Sequence, residues 1–183
     1  MGSKRDLLIE KATDWAWEHG LVGLSLRPLA AAIGTSDRML IYHLGSKEQL
    51  IIEILRCSAA RSAHELRSLP TSASPQQAVL DQWRLRTTER QSQCDRIYVE
   101  AATLGLFGQQ PYAAEVIAMN EVWLEAVRLH LVSSGVAEER SREIAELVDA
   151  ALMGFELDRP LEAGEHVGLM ALARAVDLLA HSA

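Results

Sequence analysis

Apolar residues recur at intervals of three and four positions along most of the chain, which is the spacing of one face of an α-helix. Alanine, leucine, glutamate and arginine are frequent, and no segment shows the alternation expected of a β-strand. Glycine, proline and serine residues interrupt the pattern where helices end or begin. The sequence therefore predicts an all-α fold of about nine helices, at residues 4–19, 26–33, 37–44, 46–69, 75–91, 95–108, 111–133, 138–156 and 163–181.

One segment marks the best internal boundary. The stretch "PTSASP", which starts at Pro70, is rich in turn-forming residues and follows the long predicted helix 46–69. A chain of 183 residues with 49% apolar residues is large enough to bury a core. We therefore predict a three-helix N-terminal domain at residues 1–50, a connecting helix at 46–69 and a helical bundle at 70–183.

Charge is distributed unevenly between these parts. The net charge is −7, but residues 1–50 hold six Lys/Arg and six Asp/Glu and are neutral overall. The remaining segment contains twelve Arg and nineteen Asp/Glu, and so carries the whole excess of negative charge. A polyanionic partner is therefore expected to contact the N-terminal third.

Helices 26–33 and 37–44, joined by Gly34-Thr35-Ser36, have the length and turn chemistry of a helix-turn-helix. In that motif the first helix supports the second in the major groove of DNA. Short helix pairs joined by a glycine turn also occur in proteins that do not bind DNA. Six positions are predicted to face the core, namely Leu26, Leu29, Ala30, Ile33, Leu40 and Leu44. Five positions of the second helix are predicted to point away from it, namely Asp37, Arg38, Met39, Tyr42 and His43.

The stretch "GLVGLSLRPLAAAIGTSDRMLIYHLGSKEQL", residues 20–50, resembles the DNA-binding domain of the TetR family of transcriptional regulators. The positions that agree with the family pattern are Gly20, Ser25, Leu26, Ala30, Gly34, Ser36, Leu40, His43, Ser46, Lys47, Glu48 and Leu50. Ile41 stands where the family usually has tyrosine, and Leu44 stands where it usually has phenylalanine. Tyr42 supplies an aromatic side chain one position after the usual site.

This resemblance implies a double-stranded DNA operator as partner. Arg38 is the first choice for a base contact, because a guanidinium can bind O6 and N7 of guanine together. Lys47 and the hydroxyl groups are expected to contact phosphates, which position a protein without specifying sequence. The predicted DNA-binding residues are Ser25, Arg27, Thr35, Ser36, Asp37, Arg38, Met39, Tyr42, His43 and Lys47.

The resemblance also implies that the bundle binds a small-molecule effector, whose identity stays unknown. Aromatic residues are concentrated between positions 83 and 123, which favours a cavity there. Aromatic residues at helical spacing more often form core, and that alternative stays open. The predicted ligand-binding residues are Trp83, Arg86, Tyr98, Glu100, Phe107, Met119, Asn120 and Trp123.

The two C-terminal helices are expected to form a homodimer interface, as the resemblance implies. Each carries an apolar stripe, and small residues among large ones allow helices to approach closely. The alternative is that both stripes face only the core of their own chain. The predicted interface residues are Ile144, Leu147, Val148, Ala151, Leu152, Phe155, Val167, Met170, Ala171, Arg174 and Leu178.

Together these features predict a ligand-responsive, dimeric repressor that binds a palindromic operator. A DNA-binding regulator without a small-molecule ligand is one alternative, and an enzyme built on a helical bundle is another. We expect no enzyme, because no Glu-x-x-His pair of the type that holds di-iron centres occurs. The sequence also predicts no cofactor and no metal. The lack of any run of 18 apolar residues indicates a soluble, cytoplasmic protein without membrane contact.

Overall fold

The computed structural model describes residues 3–158 and 167–181, and all regular secondary structure in these ranges is α-helical. The all-α prediction is therefore confirmed. The predicted helix start at residues 163–166 lies outside the described residues. The nine helices within them are α1 (Lys4–His19), α2 (Leu26–Ala32), α3 (Asp37–Leu44), α4 (Lys47–Arg67), α5 (Pro75–Arg86), α6 (Glu89–Leu106), α7 (Tyr112–Ser133), α8 (Glu138–Asp158) and α9 (Val167–His181).

The boundary between α5 and α6 differs from the prediction. The polar stretch at residues 91–95 was expected to separate two helices, but it is helical and belongs to α6. The break lies earlier, at Thr87 and Thr88. The hydroxyl of Thr87 donates to the Arg84 carbonyl at 3.0 Å, and that of Thr88 accepts from the Gln91 N–H at 3.3 Å. The threonine hydroxyl groups thus satisfy backbone groups where α5 ends and α6 begins.

The chain forms two compact units, each with its own apolar core. Unit 1 comprises Met1–Ser62 and Ser92–Glu121, and unit 2 comprises Ala63–Gln91 and Val122–Ala183. Unit 1 thus joins residues 92–121 to the N-terminal segment, which no local pattern indicated. The functional boundary placed at residue 70 stays a prediction.

The core of unit 1 contains buried side chains of α1, α2, α3, α4 and α6. Leu29, Ala30, Leu40 and Leu44 are buried there, as expected from their spacing. The two remaining predicted core positions, Leu26 and Ile33, are half-buried and pack against the same core. Apolar side chains of α1 and α2 therefore pack against α3 in this core.

The core of unit 2 contains α5, α8 and α9, which pack against one another. Ile144, Val148 and Leu152 of α8 are at most 1% exposed in this core. These three residues were predicted to form a dimer interface, and that prediction is wrong. They lie on the face of α8 that packs within its own chain, together with Ala173 and Val176 of α9.

Candidate DNA-binding surface

Residues 25–47, the helix-turn-helix segment, are held in shape by short-range contacts. Gly34 has φ +75°, a backbone conformation that residues with a Cβ atom rarely adopt. The N–H of Thr35 donates to the carbonyl of Ala30 at 2.9 Å, which closes the turn. Ser36 then starts α3, because its hydroxyl accepts from the N–H of Met39 at 3.2 Å. The angle between α2 and α3 is thus determined locally.

The exposed face of α3 presents a mixed set of polar groups. Asp37, Arg38 and Tyr42 are exposed, and Tyr42 is 78% exposed. Met39 and His43 are half-buried. Of the five residues predicted to point away from the core, only Asp37, Arg38 and Tyr42 are therefore exposed. At about 100° per residue, His43 lies only about 60° around the helix axis from the buried Leu40. The Tyr42 and His43 rings meet edge to face, with centroids 5.0 Å apart.

The helix-turn-helix segment is basic although the chain is acidic. It holds three cations, Arg27, Arg38 and Lys47, and one carboxylate, Asp37. All three cations are exposed. None of them forms an ion pair within residues 3–158 and 167–181. These charges are therefore available to a polyanion.

Three other arginines of unit 1 are engaged with carboxylates. Arg5 donates to Glu53 at 2.6 Å. Arg56 binds both oxygens of Glu115, at 2.9 and 3.0 Å. Arg61 is also paired, with carboxylates of α1. Three exposed cations of unit 1 without an ion pair, Arg27, Arg38 and Lys47, thus lie in the helix-turn-helix segment, where they suit a phosphate-binding surface. Lys4 and Lys11 of α1 are likewise exposed without an ion pair among the described residues.

Two serine residues stand at helix starts beside this surface. Ser25 precedes α2, and its hydroxyl makes no capping hydrogen bond with the described backbone. Ser46 precedes α4, and its hydroxyl accepts from the Gln49 N–H at 3.0 Å. The Gln49 side chain does not complete a capping box with Ser46, because its amide donates to Glu53 at 3.0 Å. The N–H of Glu48 itself, followed by the Ser46 hydroxyl, holds the pKa of the Glu48 carboxyl below its ordinary value.

An open recess of about 290 Å³ lies at the start of α3. Leu26, Asp37, Arg38 and Ile41 line it. Ile41, at the position where the resemblance led us to expect tyrosine, therefore contributes apolar surface to the recess that Arg38 also lines.

Residues 8–54 match the family model described as bacterial regulatory proteins, tetR family. The match contains the whole helix-turn-helix segment. These residues are therefore similar to the TetR family of bacterial regulatory proteins. The resemblance read from the sequence is thereby confirmed.

Solved structures extend the likeness to the whole chain at the level of the fold. The chain is similar to SCO7518 from Streptomyces coelicolor A3(2), with a TM-score of 0.70, 20% identity, and coverage of 97% of this chain and 98% of that one. It is similar to a TetR transcriptional regulator from Legionella pneumophila, with a TM-score of 0.69, 19% identity, and coverage of 98% of each chain. It is also similar to the multidrug binding protein EbrR complexed with ethidium, with a TM-score of 0.67, 18% identity, and coverage of 97% and 98%. No protein with a curated description matches the sequence. The chain thus has the fold of TetR-family transcriptional regulators.

The predicted ligand residues do not lie in one unit. Tyr98, Glu100, Phe107, Met119 and Asn120 belong to unit 1, whereas Trp83, Arg86 and Trp123 belong to unit 2. Phe107 is 79% exposed, and Met119 is buried in the core of unit 1. The ligand-binding role of these eight residues stays a prediction.

Two of the predicted polar anchors are engaged with protein groups. Glu100 accepts hydrogen bonds from the backbone N–H groups of Leu21 and Val22. Arg86 is 1% exposed and forms an ion pair with Asp149. Neither arrangement was indicated by the local sequence, because the partners are more than 60 residues apart in the chain.

The predicted dimer residues that remain on the surface of unit 2 form two helical faces. On α8, Leu147 is 45% exposed, whereas Ala151 and Phe155 are half-buried. On α9, Val167, Met170 and Leu178 are 92%, 41% and 71% exposed. Ala171 and Arg174 are exposed on the same side of α9. We name these exposed residues of α8 and α9 the α8–α9 face.

Among the described helices, none combines the length and apolar composition that crossing a membrane requires. Within the part of the chain that the structure describes, no three His, Cys, Asp or Glu side chains are arranged to hold a metal ion. The cytoplasmic location stays a prediction.

Proposed function

We propose that this protein is a ligand-responsive transcriptional repressor that binds a palindromic DNA operator as a homodimer. The observation that carries the DNA-binding part is the set of three exposed cations in the helix-turn-helix segment, none of them paired with a carboxylate of the described chain. Contacts between such cations and phosphates release counterions and supply affinity for any duplex. The Arg38 guanidinium then adds preference for guanine.

The dimeric part of the proposal is supported by the α8–α9 face. Large apolar side chains are exposed there, including Leu147, Val167 and Leu178. Exposed large apolar side chains favour association, and a two-fold dimer would bury the same residues of both chains. A symmetric pair of helix-turn-helix segments binds an inverted repeat, because operator symmetry mirrors protein symmetry.

The effector part is supported by similarity to EbrR, a multidrug binding protein solved with ethidium. An effector that binds one conformation of the dimer more tightly shifts the population toward that conformation. If that conformation has lower operator affinity, the ligand relieves repression, and the DNA weakens ligand binding by the same factor.

One observation favours a second candidate, a DNA-binding regulator without a small-molecule ligand. The charged groups of Glu100 and Arg86 already bind protein groups, so a ligand would have to compete with those contacts. A thermal-shift screen separates the two candidates. A ligand at 100 times its Kd adds about 2.7 kcal/mol to the free energy of unfolding, and a screen without any stabilising compound would favour the second candidate.

The main experiment is selection of bound sequences from a random duplex pool, followed by light scattering of the selected complex. We expect an inverted repeat bound by an even number of chains. A single unrepeated site bound by one chain would refute the dimeric part, and no enrichment at moderate salt would refute DNA-binding specificity. Reporter transcription from a promoter that carries the selected site should fall when the protein is present, whereas a rise would indicate an activator.

A further inference from the structure

The connection between α1 and α2 is held by two side chains of α6, all within unit 1. We name residues 20–24 the α1–α2 turn. One carboxylate oxygen of Glu100 accepts the N–H of Leu21 and, at 3.0 Å, the N–H of Val22. One helical turn earlier, the guanidinium of Arg96 donates to the carbonyl of Trp17 near the end of α1. Two residues of α6 spaced four positions apart thus bind the backbone on both sides of Gly20.

The α1–α2 turn fits against Glu100 with no space to spare. Gly20 has φ +82°, and a Cβ atom built on it would lie 2.6 Å from one carboxylate oxygen of Glu100 and 2.9 Å from the other. The backbone conformation therefore requires glycine there, and a Cβ atom would also force the carboxylate to shift. The half-buried carboxylate lies directly against the main chain.

The turn leads directly into the helix-turn-helix segment. Leu21 and Leu24 are 2% and 4% exposed in the core of unit 1, so the backbone between them is fixed by apolar contacts as well. The next residue is Ser25, which precedes α2, and α2 packs against α3. The α1–α2 turn consequently sets the position of α2 on α1. Because α3 packs on α2, the turn also affects the direction in which α3 presents Arg38.

We infer that Glu100 is a positioning residue for DNA binding: its carboxylate fixes the α1–α2 turn and thereby the orientation of α2 and α3, without contacting DNA itself. This inference rests on the proposed DNA-binding function. A hydrogen bond to a charged acceptor is stronger than one between neutral groups, which suits Glu100 to hold two N–H donors at once. Correct placement of the base-contacting residues matters because small displacements weaken bidentate contacts.

The test compares Glu100→Ala with Glu100→Gln in the full chain, using the selected operator duplex and a random duplex of equal length. Operator Kd values are measured by fluorescence anisotropy well below the unfolding temperature of each variant, with the active fraction determined by titration. We expect Glu100→Ala to bind the operator about ten-fold more weakly. The slope of log K against log salt should stay unchanged, because no phosphate contact is removed. Glu100→Gln should restore most of the affinity, since its amide oxygen can still accept.

A matched control distinguishes positioning from general destabilisation. Glu115→Gln alters a different carboxylate of unit 1, which is buried and binds Arg56 rather than the α1–α2 turn. It should lower the unfolding temperature but leave operator affinity within about two-fold of wild type. Equal operator binding by wild type and Glu100→Ala would overturn the inference. The inference would also be overturned if both variants lost operator affinity in proportion to their loss of stability. In that case general destabilisation alone would explain the weaker binding of Glu100→Ala.

A second variant approaches the same contact from the other side. Gly20→Ala should also weaken operator binding, because its Cβ displaces the carboxylate. Gly20→Ala should reduce operator affinity less in the Glu100→Ala variant than in wild type, since the carboxylate that meets its Cβ atom is gone. If the two changes reduce affinity additively, the two residues do not act through a shared contact. If wild type enriches no duplex, the proposed function fails and this inference fails with it. If wild type binds while Glu100→Ala binds equally well, only this inference fails.

Discussion

The guanidinium of Arg86 on α5 is buried against the carboxylate of Asp149 on α8. Arg86 is 1% exposed, and it also lies over the ring of Trp123, 5.0 Å from the ring centroid. The indole Nε1 of Trp123 donates to the same Asp149 oxygen at 2.7 Å. Three helices of unit 2 are thus joined through one carboxylate.

Asp149→Ala should lower the free energy of unfolding by about 3–5 kcal/mol, because it removes the carboxylate that pairs with a buried guanidinium. Denaturant unfolding followed by circular dichroism measures this change. Glu146→Ala is the matched control on the same helix, since Glu146 pairs with Arg142 at the surface. Its cost should be below about 1 kcal/mol. If Asp149→Ala and Glu146→Ala lower the free energy of unfolding by similar amounts, the buried ion pair contributes no more to stability than the surface pair.

Arg38→Ala and Lys47→Ala should affect DNA binding differently. Loss of the Arg38 guanidinium should reduce discrimination at one base pair by about 1–3 kcal/mol. Loss of the Lys47 charge should weaken binding to all duplexes and reduce the salt slope by about one unit. Competition binding with operator variants and a salt titration measure these effects. Arg84→Ala, which removes an exposed charge of unit 2, is the control and should change neither. An identical pattern for Arg38→Ala and Lys47→Ala would contradict the assignment of base and phosphate contacts.

Leu147→Glu combined with Leu178→Glu should convert the proposed dimer to monomers. The two carboxylates would be buried without partners in the interface formed by the α8–α9 face, which is costly. Light scattering measures the mass, and operator affinity should fall together with it. Ile117→Glu changes an equally large side chain that is 67% exposed on α7 of unit 1, and it should leave the mass unchanged. Persistence of the dimer in the double variant would exclude the α8–α9 face.

Stability in acid should depend on Asp81. Burial raises the pKa of its carboxyl, but hydrogen bonds from Ser72 and Gln77 and the charge of Arg84 lower it by more, so that the net value lies below the ordinary 3.8. A depressed folded-state pKa stabilises the fold fully above that ordinary value, and the contribution disappears as pH falls through the folded-state pKa. Asp81→Asn should therefore be less stable than wild type at neutral pH, and the difference should shrink in acid. A difference that does not change with pH would rule out this linkage.

The thiol groups should react slowly in the folded protein. Cys94 is 4% exposed, and burial raises the pKa of the half-buried Cys57 thiol. Because the thiolate is the reactive form, alkylation by iodoacetamide at neutral pH should be at least about ten-fold slower than in the unfolded chain. Mass spectrometry at timed intervals follows both residues, with the denatured protein as the reference. Rapid alkylation of Cys57 in the folded state would show that its surroundings are more open than the structure indicates.

Local interactions made much of the fold and of the DNA-binding surface predictable. Gly34 and Ser36 determine the turn and the start of α3 through contacts with residues no more than a few positions away. The α5–α6 boundary was missed because Thr88 caps α6, and a threonine pair gives a weaker signal than glycine or proline. The period of the apolar pattern likewise identified which residues of α2 and α3 face the core.

Contacts distant in sequence depended on the tertiary structure. No local pattern connects Glu100 with Leu21, 79 positions earlier, because their contact exists only once α6 packs in unit 1. The apolar stripe of α8 showed the same limit, since periodicity identifies an apolar face but not what covers it. Ile144 and Val148 are buried within their own chain, whereas Leu147 between them is exposed. The sequence by itself determined the helices and the helix-turn-helix segment, since caps and turns act over a few residues. Only the packing of the helices decided which charges are paired and which apolar residues remain for a partner.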